Sequence, residues 1–179
     1  MRWSELEDAQ PRLAERARQR LIEPGVLLVA TIRRDGTPRL SPVEPYVLDG
    51  DLWLSMMWGS TKAADLRRDP RLLVHNIIAS RDGADGEVKI RGTARAEHDP
   101  AVWRRYADAV AGSLGWTPTP GRFHLFAVDI DQVGVVRYDP ASGDQHATLW
   151  PPGREFVRRA TSATSVGDPE PAKDLLETG

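Results

Sequence analysis

Two Asp-Gly pairs, at residues 35–36 and 49–50, constrain the fold of this chain more than any other feature of its sequence. They separate three strand-like runs, at 26–33, 37–48 and 51–57. Asp-Gly supports the positive φ angles of tight hairpin turns. The three runs are therefore predicted to form an antiparallel meander.

The middle run contains three prolines, at positions 38, 42 and 45. Proline has no N–H group to give to a sheet ladder. Part of this strand is therefore expected to lie at a sheet edge or at a bulge.

The remaining periodicity predicts more strands and a few helices. Helices are expected at 3–22, with a break at Pro11, at 61–68 and at 99–115. Strands are expected at 71–79, at 86–97 and from 122, with a seventh after Asp131 and a short one at 144–150. The expected fold class is mainly β with peripheral α: an antiparallel barrel of six or seven strands with two or three outer helices.

The length of 179 residues fits one barrel domain, expected at 25–157, preceded by an N-terminal helix at 1–24. Residues 158–179 are polar and are expected to form a C-terminal tail that is mobile or lies on a partner. The first residues are charged and no apolar run approaches membrane-spanning length. A cytoplasmic protein that does not enter a membrane is therefore expected.

Composition excludes several kinds of chemistry. The chain has no cysteine, so disulfides, thiolate metal sites and thiol nucleophiles are ruled out. Its four histidines lack the spacing of metal ligands, and no metal site is expected. The net charge of −2 argues against nucleic acid as a partner.

The segment Ser60-Thr61-Lys62 stands where a strand gives way to a helix. Free backbone N–H groups, two hydroxyls and one ammonium group could together hold an anion such as phosphate. The alternative is a simple helix start, with Ser60 or Thr61 as N-cap and Lys62 in solvent. The Gly-x4-Gly-Lys pattern of a P-loop is absent.

An ordered series of short motifs gives the chain a resemblance to a known family. The series runs through "ATIRRDGTPRLSPVEPYVLDGDLWLSMMWGSTKAADLRRDPRLLVHNI" and then "EVKIRGTARAE". It resembles the split-barrel family of pyridoxamine 5′-phosphate oxidase and its flavin- and deazaflavin-dependent relatives over about residues 20–135. The motif positions are Gly36, Pro38, Lys62, Leu66, Arg67, Pro70, Gly92 and Ala94.

The resemblance implies a split β-barrel that binds a flavin-type cofactor between two copies of the chain. By position, it implies that Ser41 to Glu44 and the next strand line the cofactor, while Thr61 and Lys62 hold its phosphate. Trp58 could stack near the ring system or belong to the rim of the core. Together, the predicted cofactor-binding residues are Ser41, Pro42, Val43, Glu44, Ser55, Met56, Trp58, Ser60, Thr61, Lys62 and Glu87.

Two departures from the family pattern bear on the cofactor. This chain has Ser41 and Thr61 where the oxidase has arginines. Fewer positive charges then remain for an FMN phosphate, which weakens the case for tight FMN binding and is compatible with the deazaflavin coenzyme F420 that the resemblance also implies.

The leading hypothesis is therefore a homodimeric oxidoreductase that uses coenzyme F420 or FMN to transfer hydride to or from a small organic substrate. Since the cofactor would carry the reaction, the sequence assigns no catalytic side chain. Two alternatives stay open: a non-catalytic protein that binds or sequesters a flavin, deazaflavin or haem, and a structural barrel with an empty groove.

Overall fold

The computed structural model describes residues 1–79, 85–111, 118–119 and 121–176 of the chain. The α-helices in these ranges are α1 (Trp3–Ala9), α2 (Pro11–Ala17), α3 (Thr61–Arg68) and α4 (Pro100–Ala111), and a π-helical turn (Arg18–Ile22) follows α2. The strands are β1 (Leu27–Ile32), β2 (Pro38–Val43), β3 (Pro45–Leu48), β4 (Asp51–Met57), β5 (Arg71–His75), β6 (Glu87–Ala96), β7 (Phe123–Tyr138), β8 (Gln145–Trp150), β9 (Arg154–Ser162) and β10 (Ser165–Pro171).

All strand pairs are antiparallel, and seven of the strands follow one another around a barrel. Their order is β2, β1, β5, β6, β7, β4 and β3. Because β2 and β3 are consecutive along the chain, the chain itself joins the two ends of this order, although no ladder pairs β2 with β3 in the described residues. The mainly β fold class with outer helices is confirmed.

The predicted middle strand at 37–48 is interrupted at Glu44 and serves both ends of the barrel sheet. Its first half pairs with β1 and its second half with β4. Among the described residues, β2 has no second strand partner and neither does β3. The expectation that the proline-containing strand lies at an edge is confirmed, because Pro42 and Pro45 flank the point where the two halves separate.

The long strand β7 replaces the predicted sixth and seventh strands. It runs without a break through Asp131, because it has partners along its whole length. Its first residues pair with β4, its middle with β6 and its last residues with β8. Strand β5 is shorter than predicted and ends at His75. Directly after it, the Asn76 side chain, in place of a backbone carbonyl, accepts a 2.8 Å hydrogen bond from the Val88 N–H group.

The polar segment 158–179 was expected to be a tail, and this is wrong for most of its length. Strands β9 and β10 form a hairpin that extends the sheet beyond β8. The Asp144 carboxylate holds the hairpin, because it accepts hydrogen bonds of 2.8 Å from both the Ala160 N–H group and the Arg159 guanidinium. Small and polar residues hid the strand alternation in the sequence.

The N-terminal helices share the core of the barrel. Pro11 separates α1 from α2, as predicted. Trp3, Leu6 and Leu13 are fully buried in the same cluster as the inward residues of β1, β4 and β6. A second cluster lies beneath α4 and includes Trp53, Tyr106, Val110, Phe123, Leu125 and Ala127.

Helix α4 begins as the sequence predicts. Pro100 is its first residue, and the Asp99 carboxylate accepts a 2.7 Å hydrogen bond from the Ala101 N–H group. The predicted continuation over 112–115 lies outside the described residues. Within the ranges that the structure describes, no helix is long and apolar enough to cross a membrane.

The contact between β6 and β7 makes Gly92 irreplaceable. The pairing register shifts between Arg91 and Gly92, and a Cβ atom at Gly92 would overlap the Asp129 carbonyl oxygen. We expect Gly92→Ala to destabilise the fold by roughly 3 kcal/mol, because backbone cannot move aside as a side chain can. Thermal unfolding followed by circular dichroism measures the loss.

Gly134→Ala on β7 is the matched control. A Cβ atom there would meet only the end of the Leu149 side chain, at 3.0 Å, and that side chain can rotate. We expect a melting temperature close to that of the unchanged protein. Equal losses for the two variants would contradict the close approach at Gly92.

Candidate functional site

A groove of about 760 Å³ opens beside the point where β2 and β3 separate. Its lining includes seven of the predicted cofactor-binding residues, which come from the β2–β3 junction, from β4 and its end, and from α3: Pro42, Val43, Glu44, Ser55, Met56, Trp58 and Lys62. The fold therefore brings together side chains that are up to 20 positions apart in the sequence.

The other predicted residues lie near the groove or away from it. Ser41, Ser60 and Thr61 are not among the described residues that line it. Ser60 is the N-cap of α3, since its hydroxyl accepts a 3.3 Å hydrogen bond from the Ala63 N–H group. For Ser60, the simple helix-cap interpretation describes the structure.

Glu87 lies outside the lining of this groove in the described chain. Its carboxylate pairs with Lys89 and stands 3.7 Å from His75. The hydrogen bond from Lys89 lowers the pKa of the Glu87 carboxyl against the opposing effect of burial. The three side chains form a charged group on the outer face of β5 and β6.

Lys62 joins α3 to the wall of the groove. Its Nζ donates a 2.7 Å hydrogen bond to the Pro42 carbonyl oxygen on β2. Partial burial lowers the pKa of Lys62 below the ordinary 10.5, while the nearby Glu44 carboxylate acts in the opposite direction. Lys62 is thus a half-buried cation at the groove with donor capacity left over, since an ammonium group has three N–H bonds.

The Asp65 carboxylate fixes α3, and with it Lys62, against the barrel. It is buried and accepts hydrogen bonds from Arg39 at 2.7 Å, Thr31 at 3.1 Å and Arg68 at 3.3 Å. Burial alone would raise the pKa of Asp65, but these three donors outweigh it and hold the pKa below 3.8. The network connects α3 to β1 and β2 one helical turn after Lys62.

Sequence reasoning missed several groove residues, of which Arg122 matters most. Arg122 is exposed, lines the groove directly before β7, and brings a second positive charge to it. Phe123 is part of the groove lining because β7 pairs with β4, which places Phe123 opposite Met57. Only the strand pairing could have revealed this, since about 65 residues lie between β4 and β7.

Trp58 forms a wall between the groove and a second, smaller cavity. Its indole is 61% exposed and stacks on the His124 imidazole, with ring centroids 4.8 Å apart and planes 8° from parallel. The second cavity measures about 150 Å³ and also contacts Arg67. Burial, and then Arg67, lower the pKa of His124 below 6.5, which favours the neutral imidazole.

The arrangement of the site can bind a ligand by position and charge. Apolar walls, a half-buried ammonium group and an exposed guanidinium fit an elongated ligand that has a ring system and an anionic group. In the part of the chain that the structure describes, no group of three or more His, Asp or Glu side chains is arranged to hold a metal ion.

Fold and groove together define a split β-barrel protein with a lateral groove. A sequence model of the family described as pyridoxamine 5′-phosphate oxidase matches residues 13–137. The chain belongs to this family. No curated protein is significantly similar to it in sequence.

Solved structures share the same fold. A putative pyridoxamine 5′-phosphate oxidase from Listeria innocua is 19% identical, with a TM-score of 0.55 over 73% of this chain and 97% of the other. A haem-binding protein from Mycobacterium smegmatis is 24% identical, with a TM-score of 0.55 over 76% and 57%. An F420 reductase is 20% identical, with a TM-score of 0.50 over 65% and 94%.

The Asp65 network yields a prediction about acid stability. At pH 7, we expect Asp65→Asn to lower the free energy of unfolding by about 2–3 kcal/mol, because charged hydrogen bonds to buried groups are lost. A lowered pKa gives stability that is present above pH 3.8 and is lost as the pH falls through the folded-state value. The difference between the two proteins should therefore shrink at pH 3, as measured by urea unfolding.

Asp108→Asn, on the exposed side of α4, is the control for this substitution. We expect it to change the free energy of unfolding by less than about 0.5 kcal/mol. A difference between Asp65→Asn and the unchanged protein that stays constant from pH 7 to pH 3 would contradict the role of the carboxylate charge.

Proposed function

We propose that this protein is an oxidoreductase that binds coenzyme F420 or FMN in the groove and transfers hydride to or from a small organic substrate. The observation that carries the proposal is the groove itself, with predicted cofactor-binding residues from β2, β4 and α3 on its walls. Membership of the pyridoxamine 5′-phosphate oxidase family supports a flavin-type cofactor.

A bound flavin or deazaflavin supplies the hydride chemistry, and the protein contributes position and electrostatics. Met57 and Trp58, which are 81% and 61% exposed, give apolar surface against which a ring system can pack. Lys62 and Arg122 supply positive charge for the anionic part of the cofactor. The Glu44 carboxylate lies near Lys62 and offsets part of its attraction for an anion.

The balance of charge favours coenzyme F420 over FMN. Ser41 and Thr61 are neutral, and Glu44 offsets part of the positive charge of Lys62. Arg122 restores some of it, but from an exposed position where its charge is screened. The fold shared with an F420 reductase agrees with this choice.

A second candidate function is non-catalytic binding of a flavin, deazaflavin or haem. The fold is shared with the haem-binding protein of M. smegmatis, which supports it. His124 would be the axial ligand to consider, because its lowered pKa favours the neutral imidazole that binds metals. Its Nε2 already accepts a 3.4 Å hydrogen bond from the Gly59 N–H group, which ligation of iron through that nitrogen would replace.

Titration of the purified protein with FMN, coenzyme F420 and haem separates these functions. Fluorescence reports the two flavin-type cofactors and absorbance reports haem. We expect F420 to bind at least as tightly as FMN, and reduced cofactor to be reoxidised when a substrate is present. Tight binding without turnover would favour the second candidate, and stoichiometric FMN that F420 cannot displace would overturn the choice of F420.

The ammonium group of Lys62 should be a main contributor to cofactor affinity. Lys62→Ala removes a charge-assisted hydrogen bond worth about 1.5–3 kcal/mol, so the affinity at neutral pH should fall roughly tenfold to a hundredfold. Lysine binds an anion only when protonated, and its pKa is lowered here. The affinity of the unchanged protein should therefore decline as the pH rises, starting below 10.5.

Two variants control this experiment. Lys62→Arg stays charged and should keep its affinity over the same pH range. Thr61→Val is an exposed neighbouring change that should cost less than Lys62→Ala. Equal affinities for the unchanged protein and Lys62→Ala would mean that the phosphate binds elsewhere.

We further propose that two copies of the chain form a homodimer through the outer face of β1, β2 and β5. Leu40, Ala30 and Leu73 stand in one cross-strand row on this face. Leu40 is 62% exposed, and Ile77 continues the patch beyond β5. Exposed apolar patches of this kind mark interaction surfaces, and a second copy on β2 would also give the groove an outer wall.

Leu73→Asp should break the proposed dimer. A stable homodimer buries about 2,000 Å² or more, and a carboxylate at its centre would be desolvated without a partner. We expect a dimer for the unchanged protein and a monomer for the variant in light scattering at micromolar concentration. Tyr138→Asp is the control: Tyr138 is equally exposed, at 37%, but lies on β7. A monomeric unchanged protein would overturn the proposal.

A further inference from the structure

Tyr106 on α4 is fully buried, and no hydrogen bond of standard length and angle joins its hydroxyl to the described residues. Native proteins keep few such groups, because a buried polar atom without a partner is unfavourable. Burial raises the pKa of the Tyr106 phenol, and a weak hydrogen-bond contact with the Ser55 hydroxyl partly offsets the rise. Tyr106 therefore has hydrogen-bonding capacity that the fold leaves unused.

The packing of the ring places Tyr106 above Ser55. Tyr46 pairs with Trp53, two residues before Ser55 on β4, and Phe123 pairs with Met57, two residues after it. Both rings therefore lie on the face of β4 to which Ser55 belongs. The Tyr106 ring packs edge-on against the Tyr46 ring, with centroids 6.0 Å apart. It packs at a tilt of 35° against the Phe123 ring, with centroids 5.9 Å apart. It thus spans the row that contains Ser55.

Ser55 connects this buried tyrosine to the groove. It is 8% exposed and lines the groove beside Glu44. A serine hydroxyl has one hydrogen to donate and two lone pairs that accept. If a donor behind it occupies one lone pair, the serine can direct its own hydrogen toward the groove.

A hydrogen bond that joins the sheet to α4 is already made by another tyrosine, Tyr46. The Tyr46 hydroxyl donates a 3.2 Å hydrogen bond to the Ala109 carbonyl oxygen and so connects β3 to α4. The Tyr106 hydroxyl makes no corresponding connection within the described ranges. Its ring alone accounts for its part in the packing of the second core cluster.

We propose that Tyr106 is a positioning residue for ligand binding. Its hydroxyl donates to Ser55 Oγ when the groove is filled, and Ser55 donates in turn to a carbonyl oxygen or ring nitrogen of the ligand. This inference rests on the proposed function, because the ring edge of a flavin or deazaflavin offers such acceptors. It adds a residue of α4, outside the groove surface, to the recognition of the ring.

Tyr106→Phe tests the proposal, since it removes the hydroxyl and keeps the ring. In the cofactor-free protein, we expect little loss of melting temperature, because the hydroxyl has only a weak contact with Ser55 to lose. Affinity for FMN or F420 should fall about threefold to tenfold, as expected for one neutral hydrogen bond. The absorption spectrum of the bound cofactor should shift, because a polar contact to its ring has changed.

Ser55→Ala and the double variant complete the experiment, and Tyr46→Phe is the matched control. Ser55→Ala should lower the affinity at least as much as Tyr106→Phe, and the double variant should bind no more weakly than Ser55→Ala alone. Tyr46→Phe should lower the melting temperature, because Ala109 loses a donor, and should leave the affinity unchanged.

Three outcomes would overturn the inference in different ways. If Tyr106→Phe binds the cofactor with unchanged affinity and spectrum, Tyr106 has no role in binding, while the proposed function stands. If the losses of the two single variants add, Tyr106 does not act through Ser55. If the unchanged protein binds neither FMN nor F420, the proposed function fails, and the role of Tyr106 fails with it.

Discussion

The backbone hydrogen bonds of β7 are the interaction on which the rest of this structure depends. β7 pairs with β6 along most of its length, with β4 at its start and with β8 at its end. In the gap between β4 and β8, the N-terminus exchanges hydrogen bonds of 2.8 Å with Ile130 in both directions. One strand thus joins the barrel, the C-terminal hairpin and the first helix, which is why the N-terminal helices share the barrel core.

The groove lies where the backbone hydrogen bonds between neighbouring strands are interrupted. Between β2 and β3 the chain changes partners at Glu44, and the prolines on either side cannot donate to a common ladder. The interruption opens the barrel wall beside α3, whose position is fixed by the Asp65 network. Rigid elements on both sides of an opening hold side chains in place better than a loop would, which is what a binding site requires.

Local signals in the sequence predicted most of the barrel. The Asp-Gly turns, the prolines and the alternation at Val88 and Ile90 are short-range features, and the structure follows them. The β9–β10 hairpin was not predictable in this way, because its stability comes from Asp144, more than ten residues before Arg159 and Ala160. Arg122 was missed for the same reason, because only the pairing of β4 with β7 brings it to the groove. Tyr106 was missed because only the packing of α4 against Tyr46 and Phe123 places it behind the groove.

The polar side chains that line the groove come from different elements, partly as a consequence of strand geometry. Side chains of β4 alternate between two faces, so Met56 points into the barrel core while Ser55 points toward α4. Lys62 reaches the groove from α3, on the side of Pro42. A ligand in the groove would therefore meet a cation at one place and a hydroxyl backed by a buried tyrosine at another. A ligand with an anionic group at one end and hydrogen-bond acceptors on a ring satisfies both, whereas a plain aromatic ring satisfies neither.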